Sequence, residues 1–143
     1  MFFGEFEYKI DEKGRIPIPP KFRRELGKEE VVLTSFAENC ITAYPLPEWK
    51  KLADNTITSG PVPQNKLRRL NRAIFAAAFS LTIDGQGRIS LPASLRQKAG
   101  IDDEVIVAGA NNYFELWNKE QWGSEKADSQ EQAWQIIESL ENR

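Results

Sequence analysis

The chain has 143 residues, is 41% hydrophobic and 28% charged, and carries a formal net charge of −2, which suits a globular chain burying one ordinary core or two small ones that lean on each other. With no histidine and a single cysteine, it lacks the usual ligands of zinc and haem and the Ser-His and Cys-His catalytic pairs. It has no Gly-rich phosphate loop ending in Lys and Ser or Thr, and no apolar run of the ~20 residues that cross a bilayer, so an enzyme or a membrane protein is a poor reading and no metal or cofactor is expected.

From Glu5 to Ile10 polar and apolar residues alternate, the period of a half-buried strand. Met1-Phe2-Phe3 lacks a basic leader, and Cys40 reads as a small buried hydrophobe in a reducing compartment, so a cytoplasmic protein is expected. Asp11-Glu12-Lys13-Gly14 is a turn signal: the Asp can accept from backbone N–H groups further on, and the Gly can take φ > 0. A second strand from Arg15 follows, and Pro17 and Pro19 keep it short or at an edge. Pro19-Pro20 opens a short helix with Phe22 and Leu26 on one face, and Gly27 stops it. Val31–Leu33 and Ile41–Ala43 read as another strand pair, and Pro47 starts a helix carrying Trp49 and Leu52. Residues 55–65 are rich in Pro, Ser, Thr and Asn and read as a connector. An amphipathic helix is expected from Gln64 to Ala78, with Leu67, Leu70, Ile74 and Ala77 in one stripe and Arg68, Arg69 and Arg72 away from it.

The same order then returns. Asp11–Pro19 recurs as Asp84–Pro92 at a constant offset of 73, and that offset also relates Phe6 to Phe79, Arg23 to Arg96, Gly27 to Gly100 and Trp49 to Trp122. A gap-free register of this length marks two copies of one supersecondary unit. The fold class expected is α+β: two tandem β-β-α-β-β units, spanning 1–54 and 79–122, with a connector and amphipathic helix over 55–78 and a C-terminal helix over 123–143. In that last segment Ser129 and Gln132 read as a capping box ahead of Ala133, Ile136, Ile137 and Leu140. A unit of roughly 50 residues is marginal alone, so the halves are expected to share apolar faces as a pseudo-dimer.

Charge is segregated along the chain: residues 1–27 balance to +1, 28–65 to −2, 66–98 to +6 and 99–143 to −7, so a basic face is compatible with a mildly acidic whole. Two readings of the repeated Asp-x-x-Gly-Arg turn stand side by side. In one, Asp11 pairs with Arg15 and Asp84 with Arg88 merely to pin two hairpins. In the other, Arg15 and Arg88 reach outward beside a tight loop, where a guanidinium fork can grip phosphate or a guanine edge. Arg23 and Arg96 follow in the two short helices, and the first copy adds Lys13, Lys21 and Arg24, against Gln86, Ser94 and Gln97 in the second. The first copy is therefore expected to make the principal contact. Trp49 and Trp122 read as core anchors rather than stacking platforms.

At these residues the sequence resembles the MraZ family, regulators associated with the bacterial division and cell-wall gene cluster. The similarity runs from Met1-Phe2 and Gly4 through Lys13-Gly14-Arg15 and Leu46-Pro47-Glu48-Trp49 to Asp84, Gly87-Arg88, Pro92 and Phe114–Trp117. The turn with its Pro-started helix is also similar to AbrB-like DNA-binding domains. The resemblance implies a pseudo-two-fold swapped-hairpin β-barrel with peripheral helices. It also implies assembly of the chain with itself into a closed ring, and sequence-specific binding of double-stranded promoter DNA at tandem boxes in the cytoplasm, on the nucleoid. Repression of the cluster, including its own promoter, is the implied role. Carried over by position, the DNA-facing residues are Arg15 first, with Lys13, Lys21, Arg23 and Arg24 around it and Arg88 and Arg96 in the second half. Asp11, Gly14, Asp84 and Gly87 form the turn that holds them. The alternative is an AbrB-like protein-interaction or antitoxin-type module in which DNA binding is secondary.

Overall fold

A computed structural model describes residues 1–27, 30–36, 38–58 and 62–142. The first half runs β1 (Glu5–Lys9), β2 (Arg15–Pro17), α1 (Pro20–Leu26), β3 (Glu30–Thr34), β4 (Ile41–Pro45) and α2 (Leu46–Thr58). After α3 (Gln64–Ile74) the second half repeats the order as β5 (Phe79–Thr82), β6 (Arg88–Ser90), α4 (Ala93–Ala99), β7 (Glu104–Gly109), β8 (Phe114–Trp117) and α5 (Lys119–Glu141). The fold class is α+β, with five helices among the described residues.

Proline and glycine set the limits of the short helices. Pro20 sits at the start of α1, where its missing N–H costs nothing, and Pro92 precedes α4. Gly100, at φ +65°, ends α4, with the Ile101 N–H reaching back to the Arg96 carbonyl at 3.0 Å in a Schellman closure.

Six strands form one antiparallel sheet in the order β1-β7-β8-β4-β3-β5, and β2 pairs with β6 in a separate two-stranded ribbon. The order reads the same when the halves are exchanged. The first strand of each half is delivered to the third strand of the other: β1 to β7 (Glu7↔Ile106) and β5 to β3 (Val31↔Leu81). β4 and β8 meet at the centre, Ile41 opposite Leu116. The return strand after Gly14 therefore lies not beside β1 but against its counterpart, Ile16 opposite Ile89. The ribbon is locked at each end by a turn of the opposite half, since the Ile18 N–H donates to the Gly87 carbonyl at 2.8 Å and the Leu91 N–H to that of Gly14 at 2.9 Å. The sheet does not close: β1 and β5 are free edges of it, so the expected barrel is corrected to an open sheet with a ribbon beside it. Prolines limit the ribbon strand, which is only three residues long in each half.

One core serves both halves. Ile16, Ile18, Phe22, Val31 and Leu33 from the first pack with Ile89, Leu91, Leu95, Val105 and Phe114 from the second. Phe22 has its ring centroid 5.1 Å from those of Phe2 and Phe114. Trp49 packs half-buried against Tyr44 and Phe75, and Trp122 against Trp117, both as anchors of helix on sheet. α2 extends to Thr58, so the expected connector is shorter, and its residues 59–61 lie outside the described residues. α3 stops at Ile74, four residues before the expected Ala78. α5 begins at Lys119, capped by Asn118, whose Oδ1 accepts from the Gln121 N–H at 3.0 Å. Ser129 is thus mid-helix, donating to Glu125 at 3.0 Å, and the capping box expected there is corrected.

Candidate nucleic-acid interface

The two Asp-x-x-Gly-Arg turns are built alike. Asp11 Oδ1 accepts from the N–H groups of Lys13 (2.9 Å) and Arg15 (2.8 Å), while Oδ2 accepts from Arg15 Nε at 2.8 Å. Asp84 does the same with Gln86 N (2.9 Å), Arg88 N (2.9 Å) and Arg88 Nε (3.0 Å). The Gly14 and Gly87 N–H groups close the turns onto the Asp11 and Asp84 carbonyls, with φ of +76° and +78°, a region glycine enters without steric cost. The backbone N–H of Arg15 is the main reason that the Asp11 carboxyl is held below its ordinary range, and that of Arg88 does the same for Asp84; desolvation works against both. Both aspartates are therefore ionised at neutral pH and fix the arginine that follows.

The strand exchange brings these turns together. Arg88 Nη1 lies 3.8 Å from Asp11 Oδ2, so the arginine of the second half is within reach of the aspartate of the first. Arg23, projecting from α1, lays its guanidinium over Gly87; Arg96, from α4, stands over Gly14 with Nη1 3.2 Å from where a Cβ would be. One surface thus gathers Asp11, Gly14, Arg15 and Arg23 with Asp84, Gly87, Arg88 and Arg96.

The seven basic residues singled out in the sequence differ in what occupies them. Arg15 and Arg88 keep 27% and 25% of their side-chain surface exposed, and their aspartates engage Nε. For Arg15 no other side-chain hydrogen bond occurs among the described residues. Lys13 is exposed on the turn, and Arg23 and Arg24 are exposed on α1. Lys21, also exposed, holds its Nζ 5.7 Å from the Phe3 ring centroid. Arg96 is the exception: its Nη2 donates to the Asp102 carbonyl at 2.8 Å and its Nε to that of Ile101 at 3.4 Å, so it closes the end of α4.

Sequence reasoning did not pair Arg23 with Gly87 or Arg96 with Gly14. The clue was available, because both arginines and both glycines obey the offset of 73, but it becomes a contact only once the strands are exchanged. A second polar group was also missed. On the sheet face turned from the main core, Glu115 accepts from Trp117 Nε1 at 3.1 Å and lies 3.8 Å from Cys40 Sγ. Burial raises the Glu115 carboxyl and pushes the Cys40 thiol up to about 12, so this thiol stays protonated and inert. Among the described residues no helix is long and apolar enough to cross a membrane.

The chain is thus a duplicated α+β protein whose halves exchange strands and bring two arginine turns together. The chain belongs to the MraZ family: the family described as "MraZ protein, putative antitoxin-like" matches residues 1–71 and 74–139. It is 60% identical over 141 residues to a protein of Dehalococcoides mccartyi named "Transcriptional regulator MraZ", covering 99% of both chains. It is 39% identical over 142 residues to one of that name from Halothermothrix orenii, covering 99% of this chain and 98% of that one. A Herpetosiphon aurantiacus protein, also so named, is 43% identical over 122 residues, 85% of this chain and 84% of its own.

Proposed function

We propose that this protein is a transcriptional regulator that binds double-stranded promoter DNA in a sequence-specific manner, with the paired turns as its contact surface. The observation that carries the reading is the meeting of the two turns, which sets Arg15 and Arg88 side by side with their planes fixed by Asp11 and Asp84. A guanidinium held in one orientation loses little freedom when it forks onto a phosphate or a guanine edge. Because the aspartates offset those two charges, the surplus positive charge facing phosphate comes from Lys13, Lys21, Arg23 and Arg24. Arg15 and Arg88 then orient and read, while the α1 cations attract. Arg96, committed to carbonyls, contributes position more than grip, so the first half dominates.

The exchange of β1 and β5 between halves is read here as the pseudo-two-fold swapped-hairpin arrangement of AbrB-like domains. The protein acts as a ring-shaped homo-oligomer on tandem boxes, because several weak contacts made together raise affinity by about 10² or more. The regulated genes are those of division and cell-wall synthesis, including the protein's own promoter, where it represses. The antitoxin-like wording of the family description favours a second reading, a protein-interaction module with DNA secondary. A footprint of the purified protein on DNA upstream of its own gene separates the two. Protection of short repeats at regular spacing is expected; no protection, with a stoichiometric protein partner in a pull-down, would replace this reading with the second.

A further inference from the structure

A small cavity of about 80 Å³ sits on the sheet face turned from the main core, where β4 and β8 meet. Three rings wall it. That of Tyr44 lies 5.3 Å from Tyr113 and 6.3 Å from Phe36, at 35° and 80°, so the walls meet at a corner. Glu38, Cys40, Thr42 and Glu115 complete the lining. Thr42 and Glu115 stand opposite each other in the ladder and are related by the offset of 73. The first half thus shows that a threonine serves this place in the sheet, and the carboxylate is an added charge that burial disfavours. Trp117 Nε1 donates to Glu115, yet Glu115 has no ion-pair partner among the described residues.

A second group here lacks a partner. Thr34 pairs with Thr42 and so shares its face of the sheet. It is fully buried, and its Oγ1 has no hydrogen-bond partner among the described residues, an omission that a bound donor would mend. An adjoining cavity of about 330 Å³ shares Glu38 and adds Trp117, Glu125 and Asp128. No basic side chain among the described residues lines either cavity. Lys98 donates its Nζ to the Phe36 carbonyl at 3.1 Å without entering the lining.

The chemistry selects the guest. Carboxylates without a base repel an anion. The Cys40 thiol, pushed up to about 12, offers no thiolate, and no group of three or more acids and thiols able to hold a metal occurs among the described residues. Aromatic walls beside a carboxylate suit an organic ammonium, which gains from both ring and charge.

We propose that the two cavities bind an aliphatic diamine, one ammonium among Tyr44, Tyr113 and Glu115 and the other beside Glu125 and Asp128. The inner ammonium supplies the N–H donors that Glu115 and Thr34 lack. The site uses no residue of the paired turns, so it goes beyond the regulator reading and stands or falls independently of DNA binding.

Isothermal titration of the full chain with 1,4-diaminobutane at constant ionic strength tests it, with 1-aminobutane and 1-butanol as comparisons. One diamine per chain is expected, with the monoamine about tenfold weaker and the alcohol not bound, since each lacks a charge that the lining pairs. Glu115→Gln keeps the shape and removes the charge. It should lose about tenfold in diamine affinity, with a melting temperature no lower than that of wild type, because no ion pair is broken. Asp128→Asn, at an exposed position that puts folding at no risk, should weaken the diamine and leave the monoamine unchanged. Glu138→Gln/Glu141→Gln, acids of α5 outside both cavities, should bind as wild type does. The site would be overturned by wild type giving no saturable heat, by monoamine or alcohol binding as tightly as the diamine, or by wild-type diamine affinity in Glu115→Gln or Asp128→Asn. An equal loss in Glu138→Gln/Glu141→Gln would also overturn it, since the attraction would then be to acidic surface in general.

Discussion

Replacing Gly87 by alanine probes the cross-half contact directly, and its mirror position, Gly14, provides the control. Both glycines hold the same turn at nearly equal φ, +78° and +76°, so both variants carry the same left-handed backbone term, roughly 1–2 kcal/mol for an L-residue. They differ in what the new methyl meets. At Gly14 the neighbour is Arg96 Nη1 at 3.2 Å, a single atom that need give only slightly, within the hold of the Ile101 and Asp102 carbonyls on its guanidinium. At Gly87 the methyl overlaps Arg23 Nη1 and stands 2.6 Å from its Cζ and 3.0 Å from its Cδ, so the whole guanidinium with the end of its stem must swing away. Displacing a side chain from its rotamer adds about 0.5–1.5 kcal/mol. At roughly 2–4 °C per kcal/mol for a chain of this size, Gly87→Ala should melt a few degrees below Gly14→Ala. It should also lose promoter affinity, because Arg23 no longer lies over the turn, whereas Gly14→Ala should keep most of it. Thermal melts and gel shifts on both variants decide. Equal melting and equal binding would show that Arg23 has no settled place over Gly87 and would refute the reasoning.

Three further outcomes follow from the same contacts. The Asp11 and Asp84 carboxyls, held low chiefly by the Arg15 and Arg88 N–H groups, contribute stability that is present above the ordinary Asp range and lost as pH falls through their lower folded values. Asp11→Asn/Asp84→Asn should therefore flatten stability against pH below about 4, and an unchanged acid limb in denaturant titrations would contradict the pinning role. Cys40, buried with its thiol pushed to about 12, should resist alkylation near pH 8 until the chain unfolds; rapid labelling of folded protein would count against its buried place. Phe22→Ala removes a ring that is 1% exposed and packs on rings from both halves. It should cost about 3–5 kcal/mol in chemical denaturation, and a loss below about 1 kcal/mol would contradict a single shared core.

Much of this was legible because the chain is duplicated. The offset of 73 identified two equal units, the Asp-Gly spacing gave the turns, and prolines and glycines marked the limits of α1 and α4. The strand exchange was not legible in detail: alternation tells which residues of β1 face inward but not whether β2 or β7 receives its hydrogen bonds, because the two ladders need the same pattern. The Arg23–Gly87 contact depends on that exchange and stayed hidden with it. Asn118 marks the start of a helix carrying Trp122, where α5 does begin, but the polar stretch before Ser129 hid that this helix runs on unbroken into the last one. The length of α2 was missed for a similar reason, since Asn55 and Thr56 favour helix ends by propensity alone. Arg96 resembled Arg23 in sequence, yet nothing in its spacing revealed that carbonyls 101 and 102 would claim its guanidinium.

The proposed function requires two arginine turns presented together to a duplex. The most direct test is the salt dependence of binding to the promoter upstream of the protein's own gene, for wild type, Arg15→Ala and Arg15→Ala/Arg88→Ala. Wild-type affinity should fall steeply with salt, by a logarithmic slope of roughly 0.9 per phosphate engaged. Each substitution should weaken binding and preference for the promoter over unrelated DNA while the assembly mass is unchanged. Wild-type affinity and preference in the double variant would contradict the claim.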